Sequence, residues 1–277
     1  MPEGPECTQI ANGLNRTLKG TTITSLTVLG GRFVTTPPKQ LSKVSFPLSV
    51  TQVYCKGKLI VFEFVDSSQT PLTAFSTLGM TGQWLTEVST HTALQLQYTT
   101  DDGCVGSVFY CDVRRFGTFM FEHDSREAQK RLNKIAPGFV GSAIITSDEF
   151  TTNIRKCGDK PLLKTMMDQQ HICSSIGNYL VAEIFYATRL YPDILCSQLT
   201  PEQVTLLFSN CQRIIQASYD KGGVSIRDYK HVSGARGEYG PELAVYGKKK
   251  DPLGNDVVQS IGNHGRTIHW VPSLQMA

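Results

Sequence analysis

The chain has 277 residues, and 27 Lys plus Arg against 24 Asp plus Glu leave a formal net charge of +3. With 40% hydrophobic and 18% charged residues it is too apolar for a disordered chain, and at roughly 150 residues per domain it holds one large or two ordinary domains. Its most apolar run, Leu59 to Val65, contains Glu63 and falls far short of the roughly 18 apolar residues of a membrane span. That excludes a transmembrane segment, while a charge of +3 does not by itself establish a nucleic-acid partner.

Cys7, Cys55, Cys104, Cys111, Cys157, Cys173, Cys196 and Cys211 form no C-x-x-C pair. Scattered thiols without a secretory leader read as reduced and mostly buried, in an intracellular protein. The start, Met1-Pro2-Glu3-Gly4-Pro5-Glu6, has neither the apolar core of a signal peptide nor the Arg-rich character of a transit peptide.

In chain order, Ile10, Ala11, Leu14 and Leu18 fall on one helical stripe with Gly20 as a stop, so residues about 5 to 19 are expected to be helical. Pro5 and Glu6 suit its first turn. Period-two or short apolar runs follow: Ile23 to Leu29, Val53 to Val65, Leu94-Leu96-Tyr98, Val105 to Tyr110 and Thr118 to Phe121, with Asp101-Asp102-Gly103 as a hairpin turn. The first 122 or so residues are therefore expected to be a β-sandwich with the opening helix against it. A polar stretch, Glu122 to Lys134, precedes Pro137-Gly138. Leu162, Leu163, Met166 and Met167 then recur at helical spacing, Ser174 to Asn178 interrupts, and helices are expected over Tyr179 to Leu190 and Pro201 to Tyr219. Asn178 is placed to cap the helix after the turn, whose N–H groups would cradle a phosphate. The tail from Gly222 shows β-like runs at Leu243 to Tyr246, Val257 to Ile261 and Thr267 to Val271.

The chemistry-bearing residues begin at the N-terminus. Methionine removal before a small residue would leave Pro2 with a free secondary amine, and an α-amino group of pKa about 7.7 to 8.0 is partly neutral at pH 7. Such an amine attacking a sugar C1′ yields an iminium, an electron sink for elimination. Glu3 and Glu6 lie beside it as proton donor and supporting carboxylate; alternatively, they only decorate a helix entrance. Lys58 follows Gly57 at the start of an apolar strand and suits a phosphate or a proton-transfer role, or is a solvated lysine. Met80 sits in Leu78-Gly79-Met80-Thr81-Gly82, as a core residue or an exposed wedge. Arg114 and Phe116, in Asp112-Val113-Arg114-Arg115-Phe116-Gly117, combine a cation with an aromatic ring, which suits filling a gap in a base stack; the alternative is a salt-bridged turn. Arg266, between Gly265 and a β-run, suits bidentate phosphate binding, whereas Lys248-Lys249-Lys250 suits diffuse contact. His231, His264 and His269 lack zinc-ligand spacing and no cysteine follows Cys211, so no metal set is present.

In this order and with these separations, the segments resemble the formamidopyrimidine-DNA glycosylase and endonuclease VIII family. Met1 to Glu6 is similar to the endonuclease VIII form of the N-terminal signature. Met167-Asp168-Gln169 followed by Ile176 to Glu183 is similar to the helix-two-turn-helix motif. The resemblance implies an α+β protein with an N-terminal catalytic β-sandwich domain (1–133), a helix-two-turn-helix domain (134–222), and a loop plus β-hairpin finger (223–277). It implies Pro2 as Schiff-base nucleophile, Glu3 as the acid that protonates the deoxyribose ring oxygen, Glu6 as support for the amine, and Lys58 as a phosphate contact near the lesion pocket. Met80, Arg114 and Phe116 would fill the gap left by a flipped nucleotide, and Asn178 and Arg266 would bind backbone phosphate.

Two departures stand out. Where zinc-finger members carry two C-x-x-C pairs, this chain has Asp251-Pro252-Leu253-Gly254 and Val271-Pro272-Ser273-Leu274-Gln275, which implies a zincless finger held by packing and sheet hydrogen bonds. Gly222-Gly223 through Val245-Tyr246-Gly247 looks like a formamidopyrimidine-type loop, in conflict with the endonuclease VIII-like N-terminus. The expected activity is that of a bifunctional glycosylase and AP lyase on oxidised pyrimidines, hydantoins and ring-opened purines, without cofactor. Damaged DNA is the expected partner of a monomer in nucleus or cytoplasm. A damage-binding protein without turnover is the alternative, and a glycoside hydrolase using Glu3 and Glu6 fits poorly, because two acids three apart at a chain end lack a sugar cleft.

Overall fold

Glu6 Oε2 accepts the N–H of Glu3 at 2.7 Å, and with Pro5 in the first turn this starts helix α1 at Gly4–Leu18. In the computed structural model, which describes residues 1–224, 237–261, 265 and 267–276, the apolar stripe of α1 (Cys7, Ile10, Ala11, Leu14, Leu18) is buried against a sheet. That sheet comprises β1 (Thr22–Val28), β2 (Leu48–Lys56), β3 (Leu59–Val65), β4 (Pro71–Thr77), β5 (Gly82–Leu85), β6 (Thr92–Thr99), β7 (Val105–Asp112) and β8 (Thr118–Glu122). Their order is β5-β7-β6-β1-β2-β3-β4-β8, antiparallel at every pairing.

The sheet rolls over so that its ends face each other. Trp84 of β5 lies 5.4 Å from Phe62 of β3 and 5.7 Å from Phe119 of β8, and its indole N–H donates to Ser76 of β4 at 3.1 Å. One continuous sheet thus forms the two layers of the expected sandwich, with aromatic rings and the α1 stripe between them. The run from Val53 to Val65 is two strands rather than one: Lys56 pairs with Leu59 across a two-residue turn, Gly57-Lys58, in which Gly57 takes a φ of +63°.

The second half is helical: α2 (Ser125–Asn133), α3 (Ser147–Cys157), α4 (Leu162–Met167), α5 (Asn178–Thr188) and α6 (Pro201–Asp220). The polar stretch before Pro137 is therefore a helix, α2, which buries only Ala128 and Leu132, one helical turn apart. Thr146 with Glu149, and Thr200 with Gln203, close capping boxes at α3 and α6. Among the described residues no helix is long and apolar enough to cross a membrane.

Two tail strands, β9 (Val258–Ile261) and β10 (Thr267–Trp270), pair antiparallel. Leu243 to Tyr246 is not a strand, because the N–H groups of Ala244, Val245 and Tyr246 all donate to the buried Glu183 carboxylate of α5, at 2.7, 3.0 and 2.8 Å. Side chains close the turns flanking the hairpin. Asp251 accepts from the backbone of Leu253 and Asn255 and from the Tyr186 hydroxyl at 3.1 Å. Gln275, fully buried, accepts from the Val271 N–H at 2.8 Å and donates to the Leu190 carbonyl at 3.0 Å. Among the described residues no group of three or more His, Cys, Asp or Glu could hold a metal ion.

Gln275→Ala leaves a buried N–H and a buried carbonyl unpaired, at about 1–3 kcal/mol each. The expected result is faster hydrogen exchange at β9 and β10, with no change on adding a chelator to the wild type; unchanged exchange in the variant contradicts this bracing.

Candidate active site

Glu3 and Glu6 are each 1% exposed, and their oxygens are taken up by groups far away in sequence. Glu3 accepts from the backbone N–H of Gly177 at 2.7 Å, Tyr179 at 2.9 Å and Leu180 at 3.3 Å. The N-terminus of α5 is therefore filled by a carboxylate of this chain, and its N–H groups are not the open phosphate cradle expected from the sequence. Glu6 accepts from the N–H of Glu3, from the N–H of Val224 at 2.7 Å and from the Tyr179 hydroxyl at 2.9 Å, which also meets Ser218 of α6. Burial pushes the Glu3 carboxyl up to about 7 against the opposing pull of Lys58, and burial likewise raises Glu6.

Pro2, itself buried, lines a cavity of about 510 Å³ together with Met1, Lys58 and Gly79. The α-amino group at this wall belongs to Met1, and burial holds its pKa below the ordinary value, although Glu3 and Glu6 pull the other way. Lys58 reaches the site from the β2–β3 turn. A Cβ added at Gly177 would overlap the Glu3 carboxyl group and stand 2.6 Å from Lys58 Nζ, so glycine is what lets these three groups converge. The Gln169 side chain braces the α4–α5 turn on the other side: its oxygen accepts from Ser175 N–H at 2.9 Å and its amide donates to the Ile176 carbonyl at 2.9 Å.

Met80, Arg114 and Phe116 form one rim beside the cavity. The buried Asp112 carboxylate accepts from the Thr81 hydroxyl at 2.6 Å and the Gly117 N–H at 2.8 Å, and Thr81 in turn accepts from the Arg114 N–H at 2.9 Å. This knot pulls the turn at 78–82 onto the loop at 113–117. The Arg114 guanidinium lies 3.3 Å from the Met80 sulfur, Met80 is 39% exposed and Phe116 60%. Met80 and Phe116 are thus held out towards solvent rather than packed in the core, and Asp112 serves as a backbone clamp.

Asn178 is the first residue of α5, and Gly177 holds the cap position expected for it. The Asn178 amide donates to the Thr267 carbonyl of β10 at 3.1 Å, tying the hairpin to the helix. Tyr246 packs between this corner and the tail, edge-on to Tyr179 at 6.2 Å and tilted against His269 at 4.8 Å. Arg266 lies outside the described residues, as does the loop at 225–236. Gln169 and Glu183 lie in the segments similar to the helix-two-turn-helix motif, where the sequence assigns them no role, since a positioning side chain has no composition signature of its own.

The family model for the formamidopyrimidine-DNA glycosylase N-terminal domain matches residues 1–119. The formamidopyrimidine-DNA glycosylase of Streptococcus mutans is 29% identical over 281 residues, 99% of each chain, and that of Listeria monocytogenes serotype 4b is 26% identical over 284 residues, 99% of this chain and 100% of its own. A Lactococcus lactis FPG mutant in complex with Fapy-dG-containing DNA has a TM-score of 0.82 at 25% identity, with 100% of both chains covered. Residues 1–119 carry the formamidopyrimidine-DNA glycosylase N-terminal domain, and over its whole length the chain is similar to these glycosylases. Glu3, Glu6, Lys58, Met80, Arg114 and Phe116 all fall within the stretch matched by the N-terminal family model. A Thermus thermophilus MutM structure, at 21% identity and a TM-score of 0.83, shares the fold.

Gly177→Ala must push Glu3 or Lys58 aside and is expected to destabilise by about 1–3 kcal/mol. Gly240→Ala, where an added Cβ meets nothing within 4 Å, is expected to stay within about 0.5 kcal/mol. Denaturant unfolding of the two variants checks this, and equal stabilities would contradict the convergence at Gly177.

Proposed function

We propose that the whole chain belongs to this family and is a bifunctional DNA glycosylase and AP lyase in which Pro2, freed by removal of Met1, is the nucleophile. The observation that carries the reading is the placement of Pro2 at the wall of a 510 Å³ cavity, with Lys58 in the same wall and a carboxylate of raised pKa at the adjacent residue. That volume lies in the range of about 300–1,000 Å³ usual for small-molecule sites, and a flipped nucleotide would enter it. Flipping costs a few kcal/mol, less at damaged pairs, and Met80, Arg114 and Phe116 are held where side chains could take the vacated space.

The Pro2 nitrogen attacks C1′, the C1′–base bond breaks, and the base leaves with a proton. Protonation of the ring oxygen by Glu3 opens the sugar to the iminium, which then acts as electron sink for loss of a C2′ proton with departure of the 3′ phosphate, followed by δ-elimination of the 5′ phosphate. The site supplies what each step demands. Burial lowers the pKa of an amine at this wall, which increases its neutral fraction, and burial raises Glu3 to about 7, which keeps part of it protonated near neutral pH. Lys58 and, beyond the described residues, Arg266 would hold phosphates, and Asn178 would join them at the start of α5.

The substrates we propose are oxidised pyrimidines, hydantoins and ring-opened purines; the last is supported by the Lactococcus relative bound to Fapy-dG-containing DNA. The closure of both finger turns by Asp251 and Gln275 supports the zincless reading, with the protein acting as a monomer. Residues 1–133, 134–222 and 223–277 are the proposed catalytic, DNA-binding and finger regions.

Borohydride is expected to trap the Met1-processed chain covalently on abasic DNA, and to fail with Pro2→Gly or a blocked N-terminus. Binding without trapping by the wild type would favour the damage-binding alternative. Iminium formation, read as borohydride trapping and strand cleavage, should fall as pH rises through about 7, where Glu3 loses its proton, and Glu3→Gln should lower the rate and flatten that limb. A limb unchanged in Glu3→Gln contradicts the acid role.

A further inference from the structure

We infer that the α2 edge of the cavity is a second phosphate clamp, in which Arg131 and Lys134 bind successive backbone phosphates of the strand that enters past Lys58. This rests on the proposed function, because it presumes a nucleic-acid strand in this cavity. Arg131, Lys134 and Ile135 line the same cavity as Pro2 and Lys58, and among the described residues lining it there is no Asp or Glu. A concave surface with three cations and no carboxylate selects an anion, and three separated charges along a wall fit a polyanion better than one small ion.

The spacing is built into the helix. Residues 131 and 134 are three apart at the end of α2, so they share a face, while Lys130 is held along the helix by Glu127 at 2.6 Å. Ala128 and Leu132 anchor α2 in a small cluster with Leu59, Val61 and Phe75. The Arg131 guanidinium lies over the Phe75 ring at 5.1 Å, with Nη1 3.2 Å from the Met120 sulfur, a weak acceptor. It is thus held against a ring face and a weak acceptor, which leaves N–H donors for oxygen acceptors. Cations in a last helical turn also suit the helix dipole. That role sets no direction, whereas both of these side chains border the cavity.

The test is the salt dependence of binding to a duplex carrying a tetrahydrofuran abasic analogue, read by fluorescence anisotropy from about 50 to 200 mM salt. Each phosphate contact contributes about 0.9 to the slope of log K against log salt. Arg131→Gln and Lys134→Gln are each expected to reduce the slope by about that amount and the double variant by about twice it, with Arg131→Lys keeping most of it. If Arg131→Gln loses stability through Phe75, Lys134→Gln alone gives the reading. A wild type that binds and traps while Lys134→Gln and the double variant keep the full slope overturns the clamp alone. A wild type that binds no DNA overturns the clamp and the proposed function together.

Discussion

Two buried carboxylates at the chain's beginning set the arrangement of everything around the cavity. Removing a carboxylate from water costs several kcal/mol unless hydrogen bonds replace the lost hydration. Glu3 and Glu6 obtain theirs from Gly177, Tyr179, Leu180 and Val224, in the second half of the chain. The sheet half and the helical half therefore cannot part without stranding two acids. Gly4 sits directly on Ser175, donating to its carbonyl at 2.8 Å, so the docking is tight at backbone level as well. The raised pKa of Glu3 is the other face of this constraint: with a folded pKa above its unfolded one, its contribution to stability is full at low pH and is lost as pH rises through about 7. The same burial that costs stability near neutrality leaves an acid protonated where chemistry on a sugar requires one.

The surrounding parts are held in place by single polar side chains rather than by large packed surfaces. Asp112 joins two loops of the rim, Gln169 braces the α4–α5 turn, Glu183 gathers three N–H groups of the tail, and Gln275 fastens the end of the hairpin. Each is a buried or half-buried acceptor satisfied by backbone donors, so each fixes the position of a loop. The apolar core supplies stability, while these polar fasteners supply position. This division explains how a cavity lined mostly by loops and strand ends can hold Pro2, Lys58 and the rim in register.

What the sequence made legible followed signal strength. Helix α1 was readable because Pro5, Glu6 and the Ile10-Leu14-Leu18 stripe agree, and strand β6 because Leu94, Leu96 and Tyr98 alternate with Gln95 and Gln97. Strand β4 was missed because its inward positions, Leu72, Ala74 and Ser76, lack a strong apolar contrast, and β5 because four residues are too few for a period. The Gly57-Lys58 turn vanished inside an apolar run, because a two-residue reversal leaves hydrophobicity continuous on both sides. Among site residues, the chemistry at Glu3 and Lys58 was suggested by their type and neighbours, but the destination of Glu3 was not: the donors lie more than 170 positions away. Asn178 was expected to cap α5 on local grounds, and a distant carboxylate took that task instead. Local rules gave way where a tertiary contact offered a charged acceptor.

The chemistry of the cavity depends on the state of Glu3. A titration of side-chain carboxyl carbons by ¹³C NMR, with Glu3 assigned through Glu3→Gln, measures it directly. A Glu3 pKa near 7 is the predicted result; a value at the ordinary glutamate level, near 4.3, would show a solvated acid and contradict the buried carboxylate on which the site is built.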